Sequence, residues 1–480
     1  MKKSVLILWL LACAWALEAA QPVLSFQGGR FKIVQFTDLH WMPGSDKCAR
    51  TEATLRAVLQ AEKPALAVLT GDVITHDPAE EGWRSIMRIF EEERTPFTVT
   101  LGNHDAEYLT REQIFDIVMQ SPYYVGDKGP VDIKGCGNTA LPIYGSDGKG
   151  KVEAVLYCID SNDYLPANTH GEYDWIRFEQ IAWYRDQSRR FAEVNGGKPL
   201  PSLAFFHIPL PEYRHVIARE GYFGSFKDEG VGASELNSGL LSSFVDRGDV
   251  MGMFVGHDHG NDFIGLEQGV ALAYGRTSGW DAYGLFDRGG RVIELYEGEQ
   301  RFDTWIRTEK AKEHTFYYPS ALTSKDEEEM AYLPAIKASP REKGVAYTYY
   351  EGTCKHSSDI PGMKRVSQGV MPAISIAHAP AQDHFAYEFE ALIKIDRRGV
   401  YRFYTYSDDG SLLYIDNQKV VDNDGGHSAR RAEGVVALEA GWHKLRVVYF
   451  ENYMGQALEV GYTSRDTFRK PFSEGMLYVP

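Results

Sequence analysis

The sequence predicts an α/β domain with an open sheet of largely parallel strands, followed by an all-β sandwich. The first prediction rests on short apolar runs that alternate with amphipathic stretches between positions 31 and 275. The second rests on regular Tyr-, Val- and Phe-rich runs, separated by Gly and Asp, that follow Gly344. A chain of 480 residues is too long for one ordinary core, so two domains agree with its length.

The first three predicted strands alternate with two predicted helices. The strands are 31–37, 64–70 and 97–101, and the helices are 48–62 and 79–93. The second strand is apolar on both faces, which is typical of a buried parallel strand. In such a sheet, functional residues collect beyond the carboxyl ends of the strands.

Residues of the types that bind metal ions follow each of these three strands. In chain order they are Asp38, His40, Asp72, Asn103, His104 and Asp105. One histidine after one strand is weak evidence, because a hydrogen-bonded loop histidine is common there. The recurrence at three successive strand ends predicts that these side chains meet around metal ions.

The same pattern recurs further along the chain. His207 follows the predicted strand 202–206, and His257 and His259 follow the predicted strand 250–255. Helices are predicted at 173–194 and 234–247, and further strands at 152–159 and 270–274. A mixture of nitrogen and oxygen ligands suits Mn, Fe or Zn better than Ca or Mg.

The charge and cysteine content limit the partners. A net charge of -16 without a basic patch argues against nucleic acid and anionic membrane as partners. Metal ions, rather than Lys and Arg, would then carry the positive charge at a site. Five scattered cysteines are too few for a disulfide framework, and whether one pair forms stays open.

The first 20 residues are predicted to be a signal peptide. Lys2 and Lys3 precede a short apolar run, 4–12, which is too short to span a bilayer. Cleavage after Ala16 and cleavage near Ala20 both fit, and the residues around Cys13 resemble a lipoprotein box. We therefore expect an exported protein without a transmembrane span, either periplasmic, secreted or anchored to the cell envelope by a lipid on Cys13.

Together the blocks Asp38-x-His40, Gly71-Asp72, 102–105, His207 and 256–259 resemble the calcineurin-like metallophosphoesterase superfamily, over residues 31–290. The longer runs 206–212 and 256–262 look like its purple-acid-phosphatase-like branch. The resemblance implies a four-layer α/β sandwich that hydrolyses phosphate esters with two divalent or trivalent metal ions. Ions that share a water lower its pKa, which provides a bridging hydroxide as nucleophile.

The resemblance also implies a role for each block residue. Asp72 bridges the two ions. The remaining ligands are Asp38, His40 and His259 for one ion, and Asn103, His207 and His257 for the other.

His104 is the expected proton donor to the leaving oxygen, with Asp105 holding its imidazole in the useful tautomer. Arg276, at a strand end, either holds a phosphate oxygen or forms a structural ion pair. The branch carries a metal-binding Tyr three residues after the bridging Asp. Thr75 stands at that position here, so we expect no tyrosinate-to-iron colour.

The remaining chain divides into a linker and a sandwich. We predict the signal peptide at 1–20, the catalytic domain at 21–308, a linker with a partly solvated helix at 309–342, and a β-sandwich at 343–480. The run 407–416 resembles the PA-fourteen module, which implies carbohydrate binding in some members. Asp408 and Asp409 are candidates for binding Ca²⁺, although paired aspartates before a glycine also suit a tight turn.

The sequence therefore predicts a metallophosphoesterase, with phosphomonoesterase as the first expectation and phosphodiesterase as the alternative. From another class, the alternative is a glycan-binding protein that keeps an inactive phosphoesterase scaffold.

Overall fold

The computed structural model describes residues 21–480 except 168, 170, 228 and 229. The predicted signal peptide and the candidate lipid anchor at Cys13 therefore lie outside the described residues. Among the residues that are described, no helix combines the length and the apolar character needed to cross a membrane.

The first domain alternates strands and helices in its first part, as predicted, and ends in a run of consecutive strands. Its elements are β1 (Arg30–Phe36), α1 (Cys48–Glu62), β2 (Leu66–Thr70), α2 (Ala79–Glu92), β3 (Phe97–Thr100), α3 (Arg111–Val118), β4 (Thr139–Tyr144), β5 (Val152–Cys158), α4 (Phe178–Val194), β6 (Ser202–Phe205), α5 (Tyr213–Ala218), β7 (Tyr222–Phe223), α6 (Leu240–Arg247), β8 (Val250–Val255), β9 (Ile264–Glu267), β10 (Val270–Tyr274), β11 (Gly289–Tyr296), β12 (Phe302–Thr308), β13 (Lys312–Tyr318) and β14 (Leu322–Thr323).

These elements form four layers, as the resemblance implies. One sheet has the strand order β14-β13-β12-β11-β1-β2-β3 and the other β4-β5-β6-β8-β10-β9-β7. Apolar side chains from the facing sides of both sheets form one continuous core. Helices α1 to α3 cover the outer face of the first sheet, and α4 to α6 that of the second. Strands β1, β2 and β3 are parallel, as are β5, β6, β8 and β10.

The structure corrects three predicted boundaries. Helix α4 begins at Phe178 and α6 at Leu240, in each case several residues later than predicted, because loops close to the site occupy the difference. The predicted linker at 309–342 contains β13 and β14, which extend the first sheet at its edge. The same segment contains the helix Ser324–Glu328, which has no buried residues and so agrees with the solvated helix predicted there.

The second domain is a β-sandwich. Its elements, counted from the short helix, are α7 (Ser324–Glu328), β15 (Tyr332–Leu333), β16 (Val345–Glu351), a 3-10 helix (Ser357–Gly362), β17 (Lys364–Met371), β18 (Phe385–Ile395), β19 (Gly399–Asp408), β20 (Ser411–Ile415), β21 (Gln418–Asn423), β22 (Arg430–Leu438), β23 (Gly441–Glu451), β24 (Ala457–Ser464), β25 (Thr467–Pro471) and β26 (Leu477–Tyr478). Two sheets, β15-β22-β19-β24-β25 and β17-β16-β18-β23-β20-β21, enclose one apolar core.

Candidate dinuclear metal centre

The predicted ligands meet where the carboxyl ends of five strands converge. Strands β1, β2 and β3 of the first sheet deliver Asp38, His40, Asp72 and Asn103, whereas β6 and β8 of the second sheet deliver the other three histidines. The site therefore lies across the edge between two packed sheets. An open single sheet, which the strand pattern alone suggested, would not bring all of them together.

The histidine and aspartate ligand atoms form two groups, of which the first has the three residues that the resemblance assigns to one ion and the second contains Asp72 with two of the residues assigned to the other. One group is Asp38, His40 and His259, and the other is Asp72, His207 and His257, with the atoms of each group within 4.8 Å of one another. In the first group the Nε2 atoms of His40 and His259 are 3.1 Å apart. In the second, His207 Nε2 lies 3.3 Å from His257 Nδ1.

The Asp72 carboxylate lies between the two groups. Its Oδ2 atom is 3.7 Å from His40 Nε2 and 3.2 Å from His207 Nε2. Its Oδ1 atom accepts a hydrogen bond of 2.9 Å from the backbone amide of His104. One oxygen is thus held by the protein while the other faces both groups, which is the arrangement a bridging ligand requires.

Asn103 gives the clearest test of whether these residues fit a metal ion. Its side chain is 3% exposed, and its Oδ1 atom is buried without a hydrogen-bond partner. Its Nδ2 atom donates to the Tyr164 hydroxyl at 2.7 Å, which fixes the amide with its oxygen free. A buried carbonyl oxygen without a partner costs about 1–3 kcal/mol, and a cation at the second group would satisfy it.

The histidines differ in charge state: the adjacent Asp72 carboxylate raises the pKa of His207 to about 10 despite its burial, whereas the pKa values of His40 and His257 are lowered. His207 Nδ1 lies 2.7 Å from the Thr70 carbonyl, which places the proton on Nδ1 and leaves Nε2 as the ligand atom. Burial lowers the pKa of His40 to about 4, and burial together with neighbouring His207 lowers the pKa of His257 to about 3. Both rings are therefore neutral at pH 7 and able to donate a lone pair.

Backbone strain marks the same positions. Asp38, His40, Asp72 and His257 have φ values between 45° and 79°, in the left-handed region that residues other than Gly seldom adopt. Each costs on the order of 1–3 kcal/mol and is kept where the surrounding structure requires it. Here the strain turns side chains from strand ends toward a common point.

The structure corrects the role predicted for Asp105. Its carboxylate is buried and accepts hydrogen bonds from the backbone amides of Gly102, Val73 and Ile74, at 2.8 to 3.1 Å. It does not hold the His104 ring. Burial and the nearby Asp72 carboxylate raise the pKa of Asp105 to about 6, and its part is to tie the loop after β2 to the loop after β3.

Glu107 is the residue that orients the His104 imidazole. Its Oε1 atom lies 2.6 Å from His104 Nδ1, and His104 Nε2 lies 3.2 Å from the Tyr164 hydroxyl. A glutamate three residues after the histidine was the available sequence signal. Asp105 is adjacent to His104 in sequence, but its side chain points toward the backbone amides of Gly102, Val73 and Ile74 rather than toward the ring.

The Arg276 side chain is buried and paired inside the fold. Its guanidinium is 3% exposed and pairs with Asp262 and Glu313, and it also donates to the Asp287 carbonyl at 2.9 Å. Each of its three nitrogens donates to a group inside the fold. Of the two readings that the sequence left open, the structural ion pair is therefore correct.

Three tyrosines that were not predicted from the sequence surround the centre. The Tyr173 ring meets His257 edge-on at 4.5 Å between centroids, the Tyr283 ring lies 4.0 Å from that of His259, and Tyr164 contacts His104. Tyr173 was expected inside helix α4. All three lie in loops, whose course depends on tertiary packing.

A second cluster of acids lies at one end of the sandwich. Asp408, Asp409 and Glu451 place carboxylate oxygens within 4.8 Å of one another. Asp409 is 7% exposed and accepts the backbone amides of His427 and Asn452 at 2.8 and 2.9 Å. Glu451 Oε1 is buried without a partner, and burial with the two aspartates raises the Glu451 pKa to about 7. Glu451 was not predicted.

Two family descriptions match the chain. Residues 31–261 match the calcineurin-like phosphoesterase family, and residues 341–469 match the PA14 domain. The first range contains every residue of the dinuclear centre, and the second contains the acidic cluster.

Several known proteins are similar to this chain. "Probable inactive purple acid phosphatase 29" of Arabidopsis thaliana is 34% identical over 310 residues, which cover 58% of this chain and 79% of that protein. "Phosphatase DCR2" of Saccharomyces cerevisiae is 30% identical over 342 residues, which cover 63% of this chain and 58% of that protein. A solved dimetal phosphatase from Danio rerio aligns at 15% identity with a TM-score of 0.43, over 59% of this chain and 97% of its own.

We predict that Gly102→Ala weakens metal binding by about 10–100-fold, because the added Cβ would lie 2.5 Å from the Asp72 amide nitrogen and against the Asp72 carboxylate. Elemental analysis after dialysis measures the loss. Gly362→Ala is the matched control, since a Cβ there meets no atom within 4 Å. A full complement of metal in Gly102→Ala would contradict the role given to Asp72.

Proposed function

We propose that this chain, which belongs to the calcineurin-like phosphoesterase family in its purple-acid-phosphatase-like branch, hydrolyses phosphate esters with two bound metal ions. The observation that carries the proposal is the buried, unpartnered Oδ1 atom of Asn103 beside two convergent ligand groups. A scaffold that had lost its metals would not be expected to keep this costly atom in place.

Asp38, His40 and His259 would hold one ion and Asn103, His207 and His257 the other, with Asp72 shared. When bound, the pair of ions supplies an activated water at neutral pH and positive charge for the phosphate oxygens. The nitrogen and oxygen donors favour Mn, Fe or Zn. Phosphomonoesters are the first proposed substrates, and phosphodiesters are the alternative.

His104 is proposed to donate the proton that the leaving oxygen needs. Its Nδ1 atom is held by Glu107 at 2.6 Å, so Nε2 is the atom that faces the centre. Its backbone amide holds Asp72 Oδ1, which couples the position of the donor to that of the bridging ligand. Export, which the first 20 residues predict, forms part of this proposal.

A calcium site in the sandwich is a second proposed function, supported by the unpartnered Glu451 oxygen among three carboxylates. Oxygen-only ligands suit Ca²⁺. A glycan bound at this end would attach the enzyme to polysaccharide or to a cell envelope. Glycan binding without turnover of any phosphoester would instead favour the alternative of a binding protein with an inactive phosphoesterase domain.

We predict that Asp72→Ala loses both ions and Asn103→Ala one, and that each lowers the rate of p-nitrophenyl phosphate hydrolysis by about 10³-fold or more. Metal content and rate are measured on the same samples, with exposed Asp147→Ala as the control. Bis(p-nitrophenyl) phosphate tests the diester alternative. Full activity after chelation of the metals would contradict the proposal.

We predict that His104→Ala retains both ions but lowers kcat by about 10²–10⁴-fold, since it removes only the proton donor. The loss should be larger for phenyl phosphate than for p-nitrophenyl phosphate, whose leaving group needs a proton less. Exposed His215→Ala is the control. An equal loss for both substrates would argue against proton donation.

For the sandwich, we predict that Ca²⁺ raises the unfolding temperature, with about 2.7 kcal/mol of stabilisation at one hundred times Kd. Glu451→Gln should remove this shift, whereas exposed Glu474→Gln should keep it. A shift of the same size in both variants would show that calcium binds elsewhere.

A further inference from the structure

Tyr164 occupies a fixed position at the edge of the dinuclear centre. A backbone bridge joins Tyr164 to Tyr173, flanked by hydrogen bonds from the Leu165 amide to the Glu172 carbonyl at 2.7 Å and from the Asp174 amide to the Asp163 carbonyl at 2.8 Å. The two tyrosine rings lie 5.6 Å apart, tilted by 31°. The pair therefore forms one aromatic surface.

Arg111 ties this surface to the metal ligands. Its Nη2 atom donates to the carbonyls of Gly102 and Asn162 at 3.0 Å and to Asp163 Oδ2 at 3.2 Å, and its Nη1 atom donates to Asp160 at 2.9 Å. Gly102 immediately precedes the ligand Asn103. The loop with Tyr164 and the loop with Asn103 are thus held by one guanidinium, so the Tyr164 ring has a defined position relative to the centre.

The Tyr164 side chain extends from the centre toward solvent. Its hydroxyl lies inside, where it accepts from Asn103 Nδ2 at 2.7 Å and contacts His104 Nε2 at 3.2 Å. The residue is nevertheless 39% exposed. A group esterified to a phosphate at the centre, with its oxygen facing His104, would pass along this ring.

Charge restricts the chemistry of that group. The arginines near the centre are held within the fold. Arg111 bonds the two loops described above, and Arg276 pairs with Asp262 and Glu313. Arg288 is 4% exposed and donates from Nη2 to the Ala282 carbonyl. The net charge of -16 also repels polyanions. Among the described residues at this edge of the dinuclear centre, a leaving group would therefore contact aromatic rings rather than cationic side chains.

We propose that Tyr164 is a specificity-determining residue whose ring packs against a planar, uncharged leaving group, so that aryl phosphates are the preferred substrate class. This inference rests on the phosphoester hydrolysis proposed above. Stacked or edge-to-face pairs of aromatic rings add to the attraction that burial alone provides. The Tyr164 hydroxyl holds the Asn103 amide, whereas the backbone bridge to Tyr173 and the bonds of Arg111 set the position of the ring.

The test measures binding to the metal-loaded protein by titration calorimetry, without any turnover. Benzylphosphonate mimics phenyl phosphate with a CH₂ in place of the ester oxygen, ethylphosphonate is its small counterpart, and cyclohexylmethylphosphonate is its non-planar counterpart. We expect the wild type to bind benzylphosphonate about 10-fold more tightly than ethylphosphonate, and more tightly than the cyclohexyl compound.

Tyr164→Leu should reduce the 10-fold preference to about 2-fold or less. Because Leu and Phe both remove the hydroxyl that holds Asn103, the ethylphosphonate affinity of Tyr164→Leu is compared with that of Tyr164→Phe, and the two should agree. Tyr164→Phe should keep the preference, because it keeps the ring. Exposed Tyr453→Leu, in the sandwich, is the control for loss of a tyrosine. Kinetics on phenyl phosphate should show the Tyr164→Leu effect mainly in KM.

Three outcomes would overturn the proposal. They are an unchanged preference in Tyr164→Leu, an equal loss in Tyr164→Phe, and equal binding of the benzyl and cyclohexylmethyl compounds by the wild type. Binding of none of the phosphonates by the metal-loaded wild type would overturn the proposed function itself. Binding of all three with one affinity would leave that function standing and reject only the aryl preference.

Discussion

The convergence of like ligand atoms around Asp72 is the constraint on which the first domain depends. Imidazole nitrogens lie 3.1 and 3.3 Å apart, with carboxylate oxygens beside them, so that ligand atoms gather at two positions. The cost of this arrangement appears in the left-handed backbone at four ligands. The packed sheets beneath the site provide the stability that offsets this cost.

The two-sheet architecture makes the convergence feasible. A single parallel sheet aligns its strand ends in a row, and neighbouring strands lie about 4.8 Å apart, so seven ligands would extend along a line. Packing two sheets face to face lets β6 and β8 deliver histidines opposite the residues that follow β1, β2 and β3. The resulting cluster is compact enough for one carboxylate to face both ion positions.

The fold class and the positions of the ligand residues could be predicted from the sequence, whereas several side-chain partners could not. Ligand residues at strand ends were predictable because the strand pattern is local and parallel strands share an edge. The partners of His104 and Arg276 were not, because both depend on side-chain directions set by packing across the fold. Glu107 and Asp105 are both acids near His104, and only the structure shows which one faces the ring. The strands at 312–323 were missed because edge strands carry a weak apolar pattern.

The residues proposed to bind the metal ions and the residue proposed to select the substrate lie in different parts of the fold. The ligands follow buried strands, where a small displacement would disrupt the centre, whereas the tyrosines lie on loops, which tolerate variation. A loop alone would place an aromatic ring too loosely to select a substrate. Arg111 removes that freedom because its guanidinium bonds the ligand loop and the tyrosine loop at once. The proposed selectivity surface therefore acquires the rigidity of the metal centre.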